Sequence, residues 1–170
     1  MKSKILFFTI IFILLFSLGS KGGAATTKTA ASCSSSDVQT AINSAVDGDT
    51  VQVPAGSCSW TTPVTVTNKS IKIIGAGIDQ TNITSDTHGS SPVSVTVQST
   101  TTFRISGFTW RLQSGTGGNG IIIIGMSNSA GYPPICCRVD HMKMYGDTMD
   151  GVSPGGRFIV FGAVYGVIDH

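Results

Sequence analysis

A short strand-like segment recurs four times in this 170-residue chain. The copies are KIIG at 72–75, RISG at 104–107, RVDH at 138–141 and VIDH at 167–170. Successive copies begin 32, 34 and 29 residues apart. Because the segment is constant while the interval varies, the copies predict equivalent strands joined by loops of unequal length. Such a chain stacks its copies and buries one continuous core.

A second series, IIIIG at 121–125 and FIVFG at 158–162, repeats in the same way. Alternate residues of a strand point to the same side. The inward column is expected to contain Ile71, Ile73, Phe103, Ile105, Cys137 and Val139. The outward column is expected to contain Lys72, Arg104 and Arg138.

A helix is predicted just before the first of these strands. Ser36 stands three residues before Gln39, the spacing of a capping box, and Gly48 is placed to end the helix. The apolar residues at helical spacing are Val38, Ala41, Ile42 and Ala45. A helix with one apolar face at this point would cover the open first edge of the stacked strands.

These patterns predict an all-β fold over residues 33–170. The expected architecture is a right-handed single-stranded parallel β-helix with a short N-terminal capping helix. A β-sandwich is the alternative, because it also uses many short strands. Hairpin signals are few: Asn-Gly occurs at 119–120, and Asp-Gly at 47–48 and 150–151. The stacked architecture is therefore preferred.

The charge of the chain is low. Charged residues make up 12% of it and the formal net charge is +2. Lys and Arg are scattered, and no DNA- or RNA-binding motif is present, so no nucleic-acid partner is expected.

The N-terminus has the order of a secretory signal peptide. Lys2 and Lys4 precede an apolar run over 5–18, and small residues follow up to Ala25. The 14 residues of this run are fewer than the roughly 18 that a membrane span needs. We therefore expect a signal peptide at 1–25, a flexible leader at 26–32, and a secreted, cell-surface or periplasmic protein without a stable membrane anchor.

Export permits disulfide bonds. Cys33 precedes the predicted helix and Cys58 follows the first strand, so a Cys33–Cys58 bond would tie the helix to the strands. Free thiols are the competing interpretation. The state of the adjacent Cys136 and Cys137 stays open: a bond between them would be strained, while strand alternation would bury Cys137 alone. No metal site is predicted.

Three segments carry a family resemblance: DVQTAIN at 37–43, GDTVQVPAG at 48–56 and IKIIGAG at 71–77. They resemble the N-terminal cap and first coils of the pectin-lyase-like right-handed parallel β-helix superfamily, and 103–108 and 166–170 resemble its later coils. The superfamily contains polysaccharide lyases and hydrolases, tailspikes and non-catalytic surface proteins. The resemblance implies an acidic polysaccharide as partner, and it makes Ca²⁺ a possible cofactor of a full-length enzyme.

Two Asp-His pairs occupy equivalent places at the ends of successive copies: Asp140-His141 and Asp169-His170. They predict either a polar site for a cation or an acidic sugar, or a structural stack at a turn. Asp147 and Asp150 share one loop and are weaker candidates for an oxygen-ligand or acid–base site. Arg104, Arg138 and Lys143 are further candidates, with ordinary surface roles as the alternative.

The expected function is an exported protein that acts on or binds extracellular acidic polysaccharide. The alternative is a non-catalytic adhesion or structural module. Because a repeat copy reaches residue 170 without a polar cap, the chain is expected to be the N-terminal portion of a longer protein. If that protein is an enzyme, a lyase or a hydrolase, the resemblance places its catalytic residues beyond this segment.

Overall fold

The computed structural model describes residues 24–85, 87, 90–98, 100–112, 122–126, 135–145, 159–162 and 164–169. This part of the chain is mostly β-strand, with one short helix, α1 (Ser35–Ser44). The strands are β1 (Thr27–Thr29), β2 (Thr50–Gln52), β3 (Gly56–Trp60), β4 (Val64–Thr67), β5 (Lys72–Ile74), β6 (Thr81–Ser85), β7 (Val93–Val97), β8 (Phe103–Leu112), β9 (Ile122–Met126), β10 (Ile135–Tyr145), β11 (Ile159–Gly162) and β12 (Tyr165–Ile168). The all-β prediction is confirmed.

The strands form two parallel sheets. The larger sheet has the order β1-β2-β5-β8-β10-β12; β6 pairs with the second half of β8, and β3 pairs with β6. The smaller sheet has the order β11-β9-β7-β4. Every strand pair in the described part is parallel, which excludes the hairpins of a β-sandwich there. Neither sheet closes on itself within the described residues.

The predicted register of the recurring segment is confirmed. Ile73 pairs with Ile105, Ile105 with Val139, and Val139 with Ile168. The first three are buried, and Ile168, on the last strand of the ladder, is 57% exposed. In the smaller sheet Gly125 pairs with Gly162, as the second series predicts. Large side chains fill the space beside these columns. The rings of Trp60 and Trp110 pack edge to face there, with their centroids 5.3 Å apart.

Helix α1 begins two residues earlier than predicted. Its N-cap is Ser34, whose hydroxyl accepts from the backbone N–H of Asp37. Ser36 lies inside the first turn, so the predicted capping box is wrong. The helix ends at the C-cap Ala45, before Gly48. Lys69 Nζ donates to the carbonyl oxygens of residues 42, 43 and 45 at 2.7–3.0 Å, which places a cation at the negative end of the helix dipole.

Gln39 covers the free edge of the smaller sheet instead of capping the helix. Its side-chain Oε1 accepts from Thr65 N–H at 2.7 Å, and its Nε2 donates to Thr65 C=O at 3.1 Å. Thr65 is on β4, the edge strand. An amide side chain thus occupies the place of a neighbouring strand and blunts an edge that would otherwise pair with another chain.

Residues 26–32, predicted to be a flexible leader, contain β1, and this part of the prediction is therefore wrong. β1 pairs with β2 from Thr27↔Thr50 to Thr29↔Gln52. The buried carboxylate of Asp49 accepts from both the N–H and the hydroxyl of Thr26 and from Val46 N–H. The Val46 and Thr26 backbone bonds lower the pKa of Asp49. The composition of residues 26–32 is typical of flexible segments, but pairing with β2 orders residues 27–29 as a strand. Of the predicted signal peptide, only Ala24 and Ala25 lie among the described residues.

Cys33 and Cys58 form the predicted disulfide, with Cα atoms 5.8 Å apart. Cys33 C=O accepts a hydrogen bond from Trp60 Nε1 at 2.8 Å. The segment before α1 is thereby fastened to β3 both covalently and through a buried indole.

Replacing both Cys33 and Cys58 with serine should lower the free energy of unfolding by about 2 to 3 kcal/mol, because a bond across 25 residues restricts the unfolded chain. Urea unfolding followed by tryptophan fluorescence would measure the loss. Mass spectrometry of the unreduced protein should show the linked peptides. Equal stability of the variant and the native protein would contradict the expectation.

Cys136 and Cys137 are also joined, and both are buried. The expectation that strand alternation would bury Cys137 alone is wrong. The pairing of β10 with β12 shifts register between Ile135 and Cys137, so alternation is interrupted where the two sulfurs meet.

In the described part of the chain, no helix is both long and apolar enough to cross a membrane.

Candidate functional site

A row of cations crosses the outer face of the larger sheet. Lys72 on β5 pairs with Arg104 on β8, which pairs with Arg138 on β10. Neighbouring strands lie about 4.8 Å apart, so the three backbones present a cation at each step of the ladder. Lys72 is exposed, and the Arg104 and Arg138 side chains are 36% and 50% exposed. We call these three residues the cation row. The predicted outward column is confirmed.

Asp140 is the anionic centre beside this row. Its side chain is fully buried. Arg104 donates to it through Nε at 2.7 Å and Nη2 at 2.5 Å, the two-pronged geometry that gives strong charge-assisted bonds. Ser106 Oγ donates at 3.2 Å, and His141 Nδ1 lies 2.7 Å from Asp140 Oδ2. The carboxylate is therefore surrounded by partners from β8 and from its own strand.

The Arg104 guanidinium holds the pKa of Asp140 well below its usual range, and the hydrogen bonds from His141 and Ser106 act in the same direction. The same pairing raises the pKa of Arg104. Asp140 is therefore an ionised carboxylate at neutral pH. A group of this kind is a poor general acid and a weak general base. Its role at this position is to orient cations.

Arg138 belongs to the same network. Its Nη2 donates to Asp169 Oδ2 at 2.8 Å, and its Nε lies 3.5 Å from Asp140 Oδ1. Asp169 N–H donates to Val139 C=O, so the residue after β12 continues the register beside Asp140. Asp140 on β10 and Asp169 directly after β12 are thus neighbours, and Arg138 forms an ion pair with each of them.

His141 has a positive φ of 50° in the middle of β10. By register it is equivalent to Gly107, whose φ is 81°. The left-handed region is uncommon for a residue with a Cβ, and the Asp140 contact holds the ring at this bend. The histidine side chain is 59% exposed. The bend thus presents an imidazole beside the cation row.

A second charged cluster lies beyond this bend. It consists of residues from β8 and β10 together with Asp79, which precedes β6. Lys143 Nζ donates to both carboxylate oxygens of Asp79 at 2.9 Å. Tyr145 and Asp79 raise the pKa of Lys143 through hydrogen bonds. The Arg111 guanidinium lies 4.2 Å from the centre of the Tyr145 ring. This cluster is separate from the cation row. Lys143 is paired with Asp79, and the Arg111 guanidinium lies over the Tyr145 ring.

The candidate residues from the sequence fall into three groups. Asp140, His141 and Asp169 meet at the cation row. Cys33 and Cys58 are bonded to each other, and Cys58 lies on β3. Asp147, Asp150 and His170 lie outside the described residues.

Calcium does not fit the described cluster. Asp140 and Asp169 already bind Arg104 and Arg138, and a cation-rich surrounding disfavours a divalent cation. Among the described residues, no three His, Cys, Asp or Glu side chains group as metal ligands.

Two contacts of Asp140 were not predicted from sequence: the one with Arg104, which was named only as an outward-facing candidate cation, and the one with Ser106. The aligned copies RISG and RVDH contain the signal, because they place Ser106 opposite Asp140 and Arg104 two residues earlier on the adjacent strand. The same alignment places His141 opposite a glycine, which marks a left-handed position.

Comparison with family models, with curated proteins and with solved structures found no match to this chain.

Proposed function

We propose that this chain forms a right-handed parallel β-helix of the pectin-lyase-like type, and that it is an exported protein that binds acidic extracellular polysaccharide through the cation row. The observation that carries the proposal is the alignment of Lys72, Arg104 and Arg138 on the exposed face of one parallel ladder.

The alternation of the two sheets along the chain supports the β-helix. From β7 onward, strands of the smaller sheet alternate with strands of the larger one, and each pairs in parallel with its equivalent in the next repeat. Crossovers between parallel strands are right-handed in nearly all proteins. Gln39, β1 and the Cys33–Cys58 bond cover the first edge, which is the role of a capping segment in stacked folds.

Two disulfide bonds support export, because such bonds persist in oxidising compartments. The predicted signal peptide at 1–25 agrees with this. Together they favour a ligand found outside the cell.

The chemistry of the row favours a polyanion. Adjacent cations one strand apart, about 4.8 Å, can contact neighbouring acidic units of a linear polymer. Two of the cations are guanidinium groups, which bind carboxylates through paired N–H donors. Because the groups are partly exposed, the attraction is screened by salt.

Binding without turnover is the form of the function that the described residues favour. Asp140 is ionised and saturated by Arg104, Ser106 and His141, and Asp169 is held by Arg138. Neither carboxylate is poised to exchange a proton with a substrate. A polysaccharide lyase or hydrolase is the second candidate; its acid–base groups would be other than these two.

Polygalacturonate should bind the protein, and a fully methyl-esterified pectin of the same backbone should bind at least about tenfold more weakly. Raising the salt from about 0.02 to about 0.5 M should remove most of the difference. Isothermal titration calorimetry with the full chain would measure both effects.

The charge reversal Lys72→Glu should weaken polygalacturonate binding about tenfold. Lys143→Glu is the control, since Lys143 is a lysine of the same sheet outside the row whose side chain is 40% exposed, and it should change affinity less than about twofold. Equal affinity for the charged and esterified polymers would refute the proposed function. The release of unsaturated products absorbing in the ultraviolet would show that the protein is a lyase instead.

A further inference from the structure

Asp49 is a buried carboxylate without a cation partner. The residue is 0% exposed, and its oxygens accept hydrogen bonds from Thr26 N–H, the Thr26 hydroxyl and Val46 N–H at 2.7–3.0 Å. It makes no ion pair with any residue that the structure describes. Because a buried charge is costly unless it is paired, a positive charge at one of these three contacts would stabilise the carboxylate.

Asp140 shows what such a pairing looks like in the same sheet. It is also 0% exposed, and it is paired with the guanidinium groups of Arg104 and Arg138. The pKa of Asp49 is lowered chiefly by the backbone hydrogen bonds from Val46 and Thr26, and the charge of Lys28 is the smallest of the causes. Asp49 is therefore held as an anion by peptide groups, where Asp140 has cations.

Thr26 is the first of the described residues with a hydrogen bond to the rest of the chain. Besides donating to Asp49, it accepts from Thr50 N–H through its carbonyl oxygen at 2.8 Å. Ala24 and Ala25 before it are exposed. Strand β1 begins one residue after Thr26, so the pairing of β1 with β2 does not use the two alanines.

The sequence places a cleavage site at the same point. Gly23 and Ala25 are the small residues three positions and one position before the Ala25–Thr26 bond, as signal peptidases require after an apolar segment. Hydrolysis of this bond consumes one water molecule, leaving a carboxylate on Ala25 and an amino group on Thr26. A free α-amino group has a pKa near 8, so it carries a proton and a positive charge at neutral pH.

We propose that export processing cuts the Ala25–Thr26 bond, and that the α-ammonium group formed on Thr26 makes an ion pair with the buried carboxylate of Asp49, which fastens β1 along β2. The nitrogen concerned already lies 2.7 Å from Asp49 Oδ1. This inference rests on the export that is part of the proposed function, and it is independent of polysaccharide binding.

The exposure of Thr26 makes this ion pair favourable. An ammonium has three N–H donors, and Asp49 needs one of them, so the other two can remain hydrated at an exposed residue. The carboxylate is already buried, and no second charge has to leave water, which is the main cost of a buried ion pair. Before cleavage the same nitrogen is an uncharged amide. β1 is therefore held more tightly in the exported protein than in its precursor.

The first test is the N-terminus of the exported protein. The full chain is expressed with its own N-terminal segment in a secreting bacterial host, and the protein outside the cytoplasm is analysed by intact mass spectrometry. It should begin at Thr26. An exported chain that begins at another residue overturns the inference and leaves the proposed function standing. A chain retained uncleaved in the cytoplasm contradicts export, and with it the proposed function.

The second test isolates the charge. Inserting a further Thr-Thr between Ala25 and Thr26 keeps the residues on both sides of the cleavage site, but it leaves an amide at the start of β1. The native exported protein should unfold thermally about 5 °C above this extended chain. Equal midpoints would overturn the ion pair.

Asp49→Asn separates the ion pair from the hydrogen bonds. It should lower the midpoint by about 8 °C in the native exported protein and by about 3 °C in the extended chain, since only the former loses an ion pair. Asp47→Asn is the matched control, because Asp47 is an exposed neighbour that accepts from Ser70 N–H. It should have the same small effect in both chains. Equal effects of Asp49→Asn in both chains would show that Asp49 acts through hydrogen bonds alone.

The pH dependence decides the matter should Asp49→Asn fail to fold. A carboxylate partner raises the pKa of an ammonium, so the stabilisation is present below about pH 8 and is lost as the pH rises through the raised pKa. The 5 °C difference between the native and extended chains should therefore persist at pH 7 and vanish by about pH 11. Lys28, the other charge that acts on Asp49, is present in both chains, so its titration cancels. A difference that is unchanged at pH 11 would overturn the inference.

Discussion

Replacing Gly75 with alanine should lower the free energy of unfolding by about 4 kcal/mol or more, a large fraction of the stability of an ordinary domain. A Cβ at this position would lie 2.2 Å from the carbonyl oxygen of Gly107 and 3.2 Å from Thr81 Cβ. The nearer atom belongs to the backbone of the adjacent strand and cannot rotate away. Relief requires β5 and β8 to separate, and their pairing carries the cation row.

Gly125→Ala is the matched control for this substitution. A Cβ on Gly125 would have its nearest contact, the carbonyl oxygen of Gly162, at 3.8 Å, an ordinary distance. Gly75 directly follows β5 and Gly125 lies on β9, both in parallel stacks, so comparing the two variants separates the effect of the close backbone approach from the general effect of adding a methyl group. Urea unfolding should show a loss below about 1 kcal/mol for Gly125→Ala. Similar losses for the two variants would show that the approach of β5 and β8 does not limit the fold.

Replacing Asp140 with asparagine should cost about 3 to 4 kcal/mol. Removing one partner of a buried ion pair leaves the other uncompensated, which costs about 3 to 5 kcal/mol. The lower part of that range applies because Arg104 keeps 36% of its side chain exposed and can regain water. The amide also presents N–H donors to a guanidinium that has only donors.

The same interaction predicts a pH dependence. Because Arg104 lowers the pKa of Asp140 in the folded protein, the unfolded chain binds a proton more readily than the folded one. The stabilisation from the Arg104–Asp140 pair is complete at pH values above the pKa of Asp140 in the unfolded chain, about 4. It is lost as the pH falls through the lower pKa of Asp140 in the folded protein. Between about pH 5 and pH 2 the native protein should lose more stability than Asp140→Asn.

Asp79→Asn is the control for this experiment. Asp79 is 61% exposed and pairs with Lys143, which is itself 40% exposed, so its loss should cost less than about 1 kcal/mol. Denaturant unfolding at several pH values would compare the three proteins. Parallel acid profiles for the native protein and Asp140→Asn would contradict the role given to Asp140.

Much of the fold follows from the sequence because it depends on short-range regularities. The recurring segment predicts which residues align on adjacent strands, and the period of two predicts which of them face the core. Ile73, Ile105 and Val139 form the buried column, and Lys72, Arg104 and Arg138 the exposed one. A one-residue error in register would have reversed both columns. The Cys33–Cys58 bond follows from where its two cysteines stand relative to α1 and β3.

The two wrong predictions near the N-terminus, the capping box and the flexible leader, have a different cause. Ser34 and Ser36 are equivalent as local capping residues, and the choice between them depends on where the helix meets β4. There, Gln39 is taken up by the backbone of Thr65 and is not available to a capping box. Residues 27–29 look flexible by composition, yet the free edge of β2 orders them as a strand.

The parallel ladder and the cation row could be predicted from the amino-acid sequence, since both depend on repeats that are visible along the chain. Which of those cations are already paired with a carboxylate could not be predicted in this way. Arg104 and Asp140 are 36 residues apart, and Arg138 and Asp169 are 31 apart, so their pairing requires neighbouring strands to lie in register. Because charge matching is a property of side chains brought together across strands, it is visible only in the folded protein that Lys72 makes no ion pair with any described residue.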